Sequence, residues 1–138
     1  MKQVLSILMA TTFIAIPAFA TPIVGEAKVI DGDTLYVGNI KVRLEGIDAP
    51  EQSKPGGFFA TSTLSSIVGI TNVHCELTGD VTYDRMVGVC YTLDGRDLAA
   101  EVIRAGAALD CMRFSKGRYR SLEPSGIRAK LPQAKYCY

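Results

Sequence analysis

Between Val29 and Gln52 the chain reads VIDGDTLYVGNIKVRLEGIDAPEQ, placing Asp31, Asp33, Arg43, Glu45, Asp48 and Glu51 among residues suited to strands. Carboxylates that converge repel one another and hold their protons unless a cation compensates them. The stretch offers no Cys or His, so the donors are all oxygen and the fitting cation is a hard divalent one. Arg43 lies inside the strand-like IKVRL, where a half-buried guanidinium requires an anionic partner. A phosphate held beside the metal meets that need, because the planar fork of arginine matches its oxygens. The competing explanation is local: Asp and Gly form turns for backbone reasons alone. It accounts fully for Asp31, which begins the DGD turn.

The elements that must position these groups are legible around them. AKVI, TLYV and IKVRL read as strands from Glu26 to Leu44, with Gly38-Asn39 as a tight turn between the last two. If Thr34–Val37 pairs with Ile40–Leu44, both ends of the hairpin fall at one edge, and Asp33 comes near Asp48 and Glu51. A helix is expected from about Phe58 to Val68, stopped by Gly69. NVHCEL and MVGVCYTL follow as strands, then DLAAEVIRAG as a second helix with Asp97 at its N-cap and Gly106 at its end. The basic tail beyond Phe114 is broken by Pro124 and Pro132, with one short helix expected near Arg118 to Lys130. The expected fold is a β-rich α+β domain: a five-stranded barrel with two to three appended helices.

Residues 1–20, MKQVLSILMATTFIAIPAFA, carry an early Lys, an apolar run and a final Ala-Phe-Ala, the pattern of a secretory signal peptide; a membrane anchor is the alternative. Residues 21–138 then form one domain of a size that buries a thin core. Without Lys2, 14 Lys+Arg balance 14 Asp+Glu, so bulk charge does not recruit a polyanion and local arginines must do so. Cys75, Cys90, Cys111 and Cys137 all fall in the exported part, which reads as two disulfides with three possible connectivities. Zinc is disfavoured by the lack of any C-x-x-C and by a single histidine, His74, expected to face solvent on a strand.

VIDGDT, VRLEGIDAPE, TYDRMVGVCY and DLAAEVIRAGAA, in this order, resemble the successive motifs of the staphylococcal nuclease family, over about Ala27 to Phe114. The resemblance implies an OB-type barrel with helices and a calcium-dependent endonuclease that cleaves DNA and possibly RNA to leave 3′-phosphates. It implies that Asp33 and Asp48 ligate Ca²⁺ with the carbonyl of Ala49, and that Glu51 activates or orients the attacking water. It implies that Arg43 and Arg85 bind the phosphate and that Tyr83 contacts the nucleotide. The chain departs from the family in its short QSKPGG loop with Lys54 alone. It also has Met112 and Phe114 where relatives place base-stacking tyrosines; Phe114 can still stack. In this fold, a Cys75–Cys90 bridge would brace the segment that presents Arg85, and Cys111–Cys137 would tie the tail beside Phe114. The expected protein is a periplasmic or secreted monomer that leaves the membrane once its signal is cleaved. A non-catalytic OB-type module binding nucleic acid or protein is the second reading, and an exported structural domain the third.

Overall fold

The computed structural model describes residues 21–138; the expected signal peptide at 1–20 lies outside the described residues. Five strands close into a ring: β1 (Thr21–Asp31), β2 (Thr34–Val37), β3 (Ile40–Leu44), β5 (Asn72–Thr82) and β6 (Arg85–Thr92), in the order β1-β2-β3-β6-β5. A two-residue strand, β4 (Ile47–Asp48), leaves the ring and pairs with β7 (Leu109–Asp110). All neighbours in the ring are antiparallel except β3 and β6, which run parallel with Arg43 opposite Val87. Among the described residues, closure leaves the ring itself without an unpaired edge.

Alternation places Leu35, Val37, Val42, Leu44, Val73, Cys75 and Leu77 inside, where all are buried. Helix α1 (Gly57–Val68) covers the ring with Ala60, Leu64 and Val68, and α2 (Leu98–Arg104) with Leu98, Val102 and Ile103. Asp97 caps α2 by accepting from the Ala100 N–H at 3.2 Å, and Gly106 follows the helix at φ 72°. The DGD turn between β1 and β2 packs so closely on α1 that a Cβ on Gly32 would lie 2.5 Å from the Ala60 Cβ and 2.8 Å from that of Ala49. Only glycine allows that approach, which fixes where Asp33 emerges.

Two expectations need correction. β1 begins at Thr21, ahead of the strand-like run at Glu26, because Thr21 to Glu26 pair with β5; Pro22 and Gly25 obscure this in the sequence. The helix expected near Arg118 to Lys130 is absent as an α-helix. Two 3₁₀ turns, Arg120–Leu122 and Ile127–Ala129, stand there instead. Pro124 lacks a donor, and Gly126 at φ 76° turns the chain out of helical geometry. A four-residue helix, α3 (Met112–Ser115), precedes them.

The tail is nevertheless held firmly. Arg128 donates to both Glu123 oxygens at 2.6 and 2.8 Å, and Arg128 and Gln133 both donate to the Asp110 carbonyl, at 3.1 and 2.8 Å. Disulfides join Cys75 to Cys90 across β5 and β6, and Cys111 to Cys137 between α3 and the tail. No helix among the described residues is long and apolar enough to cross a membrane.

Candidate active site

The β2–β3 register sets Thr34 opposite Arg43, and the ring carries that pair to Val87 on β6. Arg43 is 13 % exposed, and its Nη1 lies 3.1 Å from Asp33 Oδ2. The guanidinium also donates to the carbonyls of Leu44 at 3.3 Å and Ile47 at 3.1 Å, which fixes its plane. Burial alone would pull the pKa of Arg43 down. The charge of Asp33, followed by Tyr136 and Asp48, outweighs burial and raises it above the ordinary arginine value. The partner that the sequence assigned to a phosphate is thus, within the protein, Asp33.

Asp33 Oδ2 also accepts the Ala49 N–H at 3.1 Å, and its Oδ1 accepts the Thr34 hydroxyl at 3.0 Å. Arg85 Nη1 donates to that same hydroxyl at 3.0 Å. Thr34 therefore links the two arginines through Asp33, a role for which its sequence position, next to Asp33 and opposite Arg43, was the only signal. Arg85 stands on the same side of the barrel as Asp33.

Asp48 is held by the tail. Its Oδ2 accepts the Ala134 N–H at 2.9 Å, and its Oδ1 accepts the Tyr136 hydroxyl at 3.3 Å. The Tyr136 hydroxyl is also 3.5 Å from Arg43 Nη2. Tyr136 was not anticipated; its one signal is adjacency to Cys137, whose bridge returns the tail to α3.

Arg43, Arg85, Tyr83, Phe114 and Tyr136 line one groove of ≈ 510 Å³. Tyr83 sits at the β5–β6 turn at φ 56°, and 93 % of it is exposed. Glu51 does not join this groove. It is exposed and borders a separate depression with Asp31, Gln52 and Ser53. The expected meeting of three acids is accordingly incomplete: among the described residues no group of three or more His, Cys, Asp or Glu stands close enough to hold a metal.

The donor chemistry still suits a hard ion. Asp33 and Asp48 offer oxygens only, all four cysteines are in disulfides, and His74 is engaged in stacking on Tyr91 at 5.0 Å. Each oxygen of Asp48 accepts a single hydrogen bond within the described residues, so lone pairs remain. Two carboxylates completed by water and substrate oxygens is a common arrangement for such ions.

The closed five-stranded barrel, of OB type, carries two guanidiniums and two carboxylates beside a groove lined by Tyr83, Phe114 and Tyr136. Residues 41–133 match the family described as Staphylococcal nuclease homologue, and the chain belongs to that family. Asp33 lies upstream of the matched residues and is placed here by geometry. The chain is 34 % identical over 115 residues to the succinoglycan biosynthesis protein ExoI of Rhizobium meliloti (strain 1021), covering 75 % of this chain and 60 % of that protein. It is 35 % identical over 85 residues to an uncharacterized endonuclease of Escherichia coli O157:H7, covering 59 % of this chain and 56 % of the relative. A third relative, an uncharacterized endonuclease of Haemophilus influenzae, is 38 % identical over 93 residues, covering 64 % and 52 %. The chain thus spans between half and two thirds of the length of these relatives.

Proposed function

We propose that the protein is an exported, calcium-dependent endonuclease that hydrolyses phosphodiester bonds of DNA, and of RNA as a second substrate, leaving 3′-phosphates. Residues 21–138 are the nuclease domain, and residues 1–20 its cleaved signal. The observation that carries the reading is the linked set Asp33, Arg43, Thr34 and Arg85 at the margin of an aromatic groove. Export is supported by the two disulfides, which persist in oxidising compartments.

In this mechanism Arg43 and Arg85 grip the non-bridging oxygens and strengthen their hold as charge moves onto them during attack. Arg43 is held in place by two carbonyls and Asp33, and a bound phosphate would share or replace these partners. Asp33 and Asp48 would hold the calcium ion, which when bound supplies a Lewis acid that offsets the charge of the phosphodiester. Glu51 would orient or deprotonate the attacking water from outside the groove, in the depression that it borders with Asp31. Its side chain is exposed, so water reaches it. Phe114 and Tyr83 supply apolar faces for the base and sugar.

Purified protein incubated with plasmid or denatured DNA should produce fragments with calcium and none with a chelator. Glu51→Gln and Arg43→Ala should each lower kcat by roughly 10²–10³-fold, the scale of losing one pre-organised electrostatic or acid–base partner. Far-UV circular dichroism checks that each variant is folded. Turnover near wild type in both variants would remove this mechanism, and binding without cleavage in calcium would favour a non-catalytic module.

A further inference from the structure

The tail brings a third aromatic side chain to the groove. Tyr136 is 47 % exposed, lines the groove, and stands edge-on to Phe114 with ring centres 6.4 Å apart and planes at 60°. Its hydroxyl lies between Arg43 and Asp48, within reach of both. Met112, two residues from Phe114, does not line the groove; its methyl group lies against Gly117. Tyr136 and Phe114 therefore form an aromatic pair on the groove, which Tyr83 of the β5–β6 turn also lines.

Its placement is imposed from outside the barrel. Cys137, the next residue, is buried and bonded to Cys111, which directly precedes α3, the helix that carries Phe114. Ala134, two residues before, donates its N–H to Asp48. Arg128 and Gln133 fasten the preceding segment to the carbonyl of Asp110, on the strand that pairs with β4. These ties converge on the short β4–β7 pair that presents Asp48.

We propose that Tyr136 is a substrate-positioning residue of this groove, and that the Cys111–Cys137 bond sets its place. The hydroxyl donates to Asp48 and accepts from Arg43, holding the carboxylate and the guanidinium in one arrangement. The ring, with Phe114, offers a face on which a nucleobase of single-stranded substrate rests. The inference depends on the nuclease reading above. It adds that the site is completed by a segment far from the barrel in sequence and fastened by an oxidisable bond.

The test compares wild type with Tyr136→Phe, Tyr136→Ala, Tyr136→Trp and the double variant C111S/C137S. Two readouts are used: kcat and KM on single-stranded DNA, and affinity for a phosphorothioate oligodeoxynucleotide in calcium. Tyr136→Phe should lower kcat ~3- to 10-fold, the scale of one lost ordinary hydrogen bond, while KM stays within twofold. Tyr136→Ala should in addition raise KM and weaken oligonucleotide binding roughly tenfold, the scale of one lost stacking face. Tyr136→Trp should recover the affinity but not kcat. C111S/C137S should match Tyr136→Ala.

A tail that merely props up the fold would move melting temperature without this split between KM and kcat. Phe and Ala variants both within twofold of an active wild type overturn the proposal alone. Higher activity in C111S/C137S or Tyr136→Ala shows a tail that covers the site, and also overturns it. A wild type that neither cuts nor binds overturns the nuclease reading and the proposal together.

Discussion

Tyr83 shows what a single residue reveals about use. A tyrosine at φ 56° costs about 1–2 kcal/mol relative to glycine-like conformers, and its near-complete exposure returns nothing to the fold. The two-residue turn that joins Thr82 to Arg85 imposes that φ, and a tyrosine there leaves its exposed ring to a ligand. Tyr83→Asn, a residue that tolerates the left-handed region, should therefore raise stability by about 1 kcal/mol in chemical denaturation. It should also raise KM for DNA severalfold. An unchanged KM would show that the substrate does not use the ring. Arg43 makes the complementary point, since its partners are all internal. Asp33 holds it at 3.1 Å and two carbonyls hold its plane. The sequence correctly demanded an anion for this arginine but could not tell a phosphate from an aspartate ten positions upstream, because a β-register decides that.

At the level of elements, the Glu51 turn is positioned by the first residue of α1. A Cβ on Gly57 would lie 1.9 Å from the Glu51 carbonyl oxygen. Helix propensity alone would favour Gly57→Ala by about 1 kcal/mol. The contact reverses the sign, because backbone must move to relieve it. Gly57→Ala should lower both thermal stability and kcat, and a stabilised, fully active variant would show that the turn yields freely. Tyr119 joins α2 to the tail: it is buried and donates to Asp97 at 2.9 Å, on the residue that caps the helix. Burial first, then the charge of Asp97, raises its pKa far above the ordinary 10.0. The unfolded chain releases this proton near 10 while the folded one retains it. The contribution of Tyr119 is thus whole below pH 10 and is lost as pH climbs above it. Melting temperature should fall between pH 9 and about 11.5, and Tyr119→Phe should fall less steeply over that range. An identical slope in both would place the alkaline transition elsewhere.

Across the whole molecule, the elements whose determinants are local were legible, and those set by distant contacts were not. The TLYV and IKVRL strands, the Gly38 turn, α1 and the Asp97 cap could be read because period, turn residues and caps lie within a few positions of one another. The first residues of β1 escaped because only β5 makes them a strand. The tail escaped because a 3₁₀ path follows from packing rather than periodicity. In the candidate site, Asp33, Arg43, Asp48 and Arg85 could be named from residue type and motif order, yet Thr34 and Tyr136 could not. Their roles exist only after the ring has closed and the cysteines have paired.

The lone parallel seam has a consequence for how the chain is born. β3 gains its second neighbour only from β6, with α1 and β5 in between. A polypeptide leaving the ribosome from its N-terminus must therefore keep one flank of β3 open until residues 85–92 have followed. Translation halted before that point leaves a hydrophobic half-shell with an open flank, a natural client for holding chaperones.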